Sequence, residues 1–207
     1  MVCVRNSSHE SRLIPSSKYR IPSSKYRVPN SEFRNNMTEL DVLADVVNRL
    51  EQAGIAYMLT GSMAMNYYAV PRMTRDIDII IEMQKEDGHR IFTLFEKDYY
   101  ISEEGIKDAL KHNTAFNIIN NQSIVKIDFI IKKKSEYRLT EFNRRKKVKI
   151  DGFQVYIVSI EDLIISKLIW AKDSNSSVQT SDVENLMNQE IDKEYLEFWK
   201  RELGIGD

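Results

Sequence analysis

Cysteine is nearly missing from this chain of 207 residues: Cys3 stands alone, which excludes an internal disulfide and any cysteine-built metal cluster. Histidine is scarce as well. His9, His89 and His112 lie far apart in sequence, so a histidine metal centre has no support and each reads as a surface residue. There is no long apolar run, and the opening MVCVRNSSHE lacks the apolar stretch of a signal peptide. These absences lead to the expectation of a soluble, cytoplasmic protein with no membrane partner. The remaining composition, 42% hydrophobic and 29% charged, is ordinary for one domain with a sizeable core.

Charge is unevenly spread. Residues 1–36 hold seven Lys/Arg against two Asp/Glu (+5), whereas residues 37–207 hold 23 against 29 (−6). Ile14 to Arg34 is one heptapeptide in three copies, IPSSKYR, IPSSKYR and VPNSEFR. A proline in every copy and the lack of a second apolar seam exclude a coiled coil. Residues 1–36 are therefore expected to be a disordered basic tail, read as upstream repeat ahead of a natural start at Met37. The competing reading is a nucleic-acid or membrane-surface contact through Tyr19, Tyr26 and Phe33 and the basic residues between them. Residues 37–207 make the folded domain.

The informative stretch is LTGSMAMNYYAVPRMTRDIDIII, from Leu59 to Ile81. Its pattern predicts a buried strand over Ile55–Leu59, a sharp exit at Gly61, a helix over Met63–Val70 that ends before Pro71, and a strand over Arg75–Ile81. On that strand Asp76 and Asp78 fall on one face, about 7 Å apart, with Ile77 and Ile79 on the other. An oxygen-only pair of this kind suits magnesium better than zinc. The N–H groups of the Gly61–Ser62 turn, at a helix start, suit phosphate oxygens, and the serine hydroxyl adds a donor. Together they describe a site for a metal-bound nucleoside triphosphate. The plainer alternative is a sheet edge kept soluble by two aspartates.

The Gly-Ser turn, the thirteen-residue spacer, Asp-Ile-Asp and a later acid, Asp128, within the apolar run Val125–Ile131, resemble the nucleotidyltransferase superfamily related to DNA polymerase beta. The resemblance spans Leu40 to Leu186 and is nearest the small prokaryotic abortive-infection and toxin-type members. It implies an α/β (α+β) fold, a small mixed sheet with flanking helices and further C-terminal helices. It also implies a catalytic and metal-binding triad of Asp76, Asp78 and Asp128, two Mg²⁺ ions and an NTP held by Gly61 and Ser62. In family members a lysine on a later helix and an acid at the start of the next face the nucleotide; Lys167 and Asp182 match in position. Lys167 thus becomes a triphosphate contact, against the alternative that it snorkels to solvent.

Elsewhere the periodicity predicts helices over Thr38–Ala53, Lys85–Tyr99, Glu103–His112, Ser159–Ala171, Val183–Met187 and Asp192–Leu203. Ser159 with Asp162, and Ser181 with Glu184, read as capping boxes. Hairpins are expected from Ala115–Ile119 and Ile124–Ile131, and around Asp151-Gly152. Lys132 to Lys149 is strongly basic. Most of it reads as a solvated helix and strand face, with Arg144 and Arg145 as candidate contacts to an RNA or other phosphate-rich acceptor. The expected reaction is transfer of an NMP from an NTP to a hydroxyl of RNA, protein or a small molecule. The alternative is a non-catalytic module acting through a toxin–antitoxin protein partner.

Overall fold

The computed structural model describes residues 37–174 and 176–205; the basic repeat of residues 1–36 lies outside the described residues. Seven strands form one mixed sheet in the order β3-β4-β5-β2-β1-β7-β6. The chain enters through α1 (Glu39–Gln52), whose start is fixed by reciprocal hydrogen bonds between Thr38 and Asp41. The strand β1 (Tyr57–Thr60) runs straight into α2 (Gly61–Tyr68), and β2 (Asp76–Ile81) returns antiparallel to β1. After a 3₁₀ turn at Lys85–Asp87 come α3 (Gly88–Phe95), β3 (Tyr99–Tyr100) and α4 (Glu103–His112). The strands β4 (Ala115–Asn120) and β5 (Lys126–Ile131) form the expected hairpin, and β5 then lies parallel to β2.

Next come α5 (Glu136–Asn143), the hairpin of β6 (Lys146–Ile150) and β7 (Phe153–Ile157), and α6 (Ile160–Ser174). Both Asp151 and Gly152 have positive φ, as the tight hairpin turn requires. The helices α7 (Ser177–Met187) and α8 (Lys193–Leu203) both pack on α6. No helix among the described residues is long and apolar enough to cross a membrane.

Alternation along β2 and β5 divides the sheet. Ile77, Ile79, Ile81, Ile127 and Phe129 are fully or almost fully buried on one face. Phe95 of α3 meets Phe129 there, with ring centroids 5.8 Å apart, and Arg49 of α1 ties down this layer by bonds to the Leu94 carbonyl and Asp98. The opposite face carries Asp76, Asp78, Ile80, Asp128 and Ile130, all at least partly open. Along these two strands one face is core and the other opens to solvent, whereas β1 is buried on both faces.

Three expectations are corrected. Lys85–Tyr99 is not one helix: Tyr99 and Tyr100 leave it to pair with Asn120 and Ile119, and the Tyr99 hydroxyl donates to Asp45 at 2.6 Å. The helix expected over Val183–Met187 starts six residues earlier, at Ser177, so Ser181 lies inside it and is no cap. The helix of the basic stretch is not solvated throughout: α5 buries Tyr137, Glu141 and Phe142.

Candidate active site

The parallel register of β2 and β5 sets Asp76 against Lys126 and Asp78 against Asp128. With a side-chain period of two, all four point to the same face. They line a cleft of about 550 Å³ together with Gly61 and Ser62 at the start of α2, Arg72 and Thr74 from the following loop, and Leu163, Ser166, Lys167 and Trp170 on α6. The three acids and the Gly-Ser turn expected from sequence are thus brought to one cavity, and Lys167 joins them.

The turn grips the acids closely. Gly61 has φ +66°, and a Cβ at this position would lie 2.0 Å from Asp78 Oδ2. Only glycine satisfies both the backbone and the space. Its successors supply the first N–H groups of α2, which have no partner within the helix. Burial, then the neighbouring Asp128 and Asp76 carboxylates, push the Asp78 carboxyl up to about 6.

Ser62 is not free. Its Oγ accepts from Arg72 Nη2 at 2.6 Å, and the same guanidinium donates twice to Asp182, at 3.1 Å each. Lys167 Nζ donates to Asp182 at 2.7 Å and to Gln179 at 3.2 Å. Lys167 is only 4% exposed, so it does not snorkel: it is a buried cation held by a buried acid. Asn66 braces the loop by exchanging two hydrogen bonds with the Arg72 backbone, at 2.8 and 2.9 Å. Arg72 therefore links the Gly61–Ser62 turn to α7. Arg75 is exposed.

Lys126 escaped the sequence reading. Its ammonium lies 2.8 Å from Asp128 Oδ2 and 3.6 Å from Asp76 Oδ1. Among the described residues no three His, Cys, Asp or Glu side chains stand as a ready metal cage. Instead a lysine bridges two of the three acids. The signal was present: Lys126 is two residues before Asp128 and so shares its face. The donor set fits a hard divalent cation nonetheless, with oxygen ligands only, an accumulation of negative charge at Asp78, and no side chain at Gly61 to intrude.

The proposed rim at Arg144 and Arg145 is not one. Arg144 donates to Asp162 at 3.3 Å and Glu161 at 3.1 Å and lies 3.7 Å from the centroid of the Tyr195 ring. Arg145 lies over Phe142 and Tyr156. Both are tied up in joining α5 to α6, α8 and the sheet. Lys133, Lys134, Lys146, Lys147 and Lys149 are the exposed bases of this stretch.

No family model and no curated protein matches the sequence. Solved structures do match. The antibiotic-resistance factor ANT(2″)-Ia, in complex with adenylyl-2″-tobramycin, is similar over 80% of this chain and 96% of that one, with TM-score 0.56 and 12% identity. The lincosamide antibiotic adenylyltransferase LnuA, lincomycin-bound, is similar over 74% and 99%, with TM-score 0.51 and 14% identity. An antigenic nucleotidyltransferase-like protein from Paracoccidioides brasiliensis is similar over 72% and 74%, with TM-score 0.50 and 16% identity. The chain has the nucleotidyltransferase fold. Within the nucleotidyltransferase fold of this protein, the acid triad, the Gly-Ser turn and Lys167 converge on one cleft, with the buried Asp182 holding Lys167 from behind.

Proposed function

We propose that the protein is a Mg²⁺-dependent nucleotidyltransferase that moves an NMP from an NTP to a hydroxyl. The observation that carries this reading is the Gly61–Asp78 contact, which sets a phosphate-suited helix start against a carboxylate triad. The N–H groups following Gly61, with Ser62, hold the β and γ phosphates. Lys167, oriented by its hydrogen bond to Asp182, faces the same anion. Asp76, Asp78 and Asp128 would hold the metal, and the chemistry supplied by bound Mg²⁺ is charge stabilisation at the attacking and leaving oxygens.

Asp128 takes the acceptor proton as general base. The acceptor oxygen then bonds to the α-phosphorus, the bond to the β-phosphate bridging oxygen breaks, and pyrophosphate leaves. Trp170, one turn beyond Lys167 on α6 and 65% exposed, offers a ring to the base. Acidic cleft residues are Asp76, Asp78, Asp128 and Glu141; basic ones are Arg72, Lys126, Lys132, Lys133, Arg138 and Lys167. Asp182 and Glu82, paired with Arg72, Lys167 and Lys132, bring the acids to six as well, so the cleft is balanced in charge around the exposed Lys133.

The test is incubation with each α-labelled NTP and a cell extract. Label should enter one class of molecule and should be lost in an Asp76→Asn, Asp78→Asn double variant. Undiminished transfer by that variant would sink the reading.

A further inference from the structure

We infer that Lys126 supplies one of the cationic charges that the carboxylate triad requires, so that the site takes a single divalent ion where the family resemblance implies two. The inference rests on the nucleotidyl-transfer reading above and concerns what fills its acidic centre.

Strand register fixes the lysine in place. Lys126 is the β5 partner of Asp76 and stands one pleat from Asp128, so its stem rises from the sheet floor between the two carboxylates. Its ammonium contacts Asp128 Oδ2 at 2.8 Å and Asp76 Oδ1 at 3.6 Å. Four other basic side chains of the cleft have acids of their own: Arg72 and Lys167 are held by Asp182, Arg138 by Glu141 and Lys132 by Glu82. Among the described residues, Lys126 is the one whose ion pairs are with the triad.

Charge then sets the number of ions. Before a triphosphate enters, three carboxylates and one ammonium leave −2, which one divalent ion cancels. That ion belongs on the Asp78 side, because Asp78 makes no ion pair with Lys126 and lies against the open Gly61 backbone where phosphate oxygens would enter. A second ion on the Asp128 side would have to evict an ammonium already in hydrogen-bond contact there, and its repulsion from that ammonium would weaken its binding. The tethered cation is present before any nucleotide arrives. It keeps Asp76 and Asp128 converged and neutralises the acceptor side of the cleft. Lys126 is accordingly a positioning residue with respect to the metal.

The experiment counts bound Mn²⁺ by electron paramagnetic resonance during titration of the full chain, without nucleotide. Wild type and Lys126→Arg should take one ion per chain. Lys126→Met should take two, the second at least about tenfold more tightly than any second ion on wild type. Should the methionine variant fail to fold, Lys126→Gln gives the same reading, with circular dichroism as the folding check. Two ions on wild type, or one on both neutral variants, would overturn the inference and leave nucleotidyl transfer standing. No ion on any of these proteins would also overturn the inference, whereas nucleotidyl transfer is decided by the label-transfer test above.

Discussion

Gly61 and Asp78 fit together only because position 61 has no side chain: a Cβ there would lie 2.0 Å from the Asp78 carboxylate oxygen and 2.9 Å from its Cβ. The contact is between a helix start and a strand, so relief must come from moving one of them. Gly61→Ala should leave the fold largely intact but displace Asp78, and a shift of ~1 Å in such a group costs roughly 100-fold in rate. Gly152→Ala makes the comparison fair. It shares a positive φ but has nothing within 4 Å of its Cβ, so it should cost stability, about 1 kcal/mol, without affecting label transfer per folded molecule.

How far the sequence alone reached follows from the kind of signal each element carries. Asp76, Asp78 and Asp128 were readable because each stands inside a run of Ile, Val or Phe that can only be a strand, and strand alternation then dictates the face. Gly61 was readable as a turn, but its contact with Asp78 depends on register between β1 and β2, which no local pattern states. The network of Arg72, Ser62, Lys167 and Asp182 joins residues 10 to 110 positions apart, beyond the reach of periodicity. Tyr99 and the burial of α5 were misread for opposite reasons. A tyrosine beside a helical stripe passes for its continuation, and the charges of Lys132–Lys149 masked the three buried residues Tyr137, Glu141 and Phe142.

Asp182 gives the domain a particular acid sensitivity. Burial alone would raise its carboxyl, but hydrogen bonds from Arg72 and Lys167 outweigh burial and hold it below its ordinary value. A carboxylate depressed by folding stabilises the native state above its unfolded pKa, about 3.9, and that contribution is lost as pH falls through the folded value. Asp182→Asn should therefore be less stable near pH 7 by about 3–5 kcal/mol, since it strands the buried Lys167. Its stability should also fall less steeply on acidification below about pH 4 than that of wild type. Urea unfolding across this range checks both, and equal acid slopes would count against the assignment.

Trp170 separates nucleotide recognition from stability. It is 65% exposed in the cleft wall, so its loss should cost far less stability than the loss of a buried aromatic side chain. Base–aromatic stacking contributes about 1–3 kcal/mol, so Trp170→Ala should raise the NTP KM by roughly 5- to 100-fold, and Trp170→Phe should recover most of it. Steady-state kinetics with kcat and KM resolved decide the matter, with an unchanged KM as the contrary result.

Arg144 tests whether the basic stretch acts through binding or through packing. Its guanidinium is shared by Asp162, which is fully buried, Glu161, which is nearly so, and the face of Tyr195, whose hydroxyl donates to Asp162 at 2.7 Å. Removing it leaves two acids on α6 without their cation, a defect of about 3 kcal/mol. Arg144→Ala should therefore lower the unfolding midpoint while label transfer per folded molecule stays at the wild-type level. Lys133→Glu should do the reverse, because Lys133 is exposed and lines the cleft: unchanged stability, and a fall in transfer to a phosphate-bearing acceptor that high salt imposes on wild type as well. A stable Arg144→Ala protein that fails only in acceptor modification would restore the binding role to this arginine and remove it from the core.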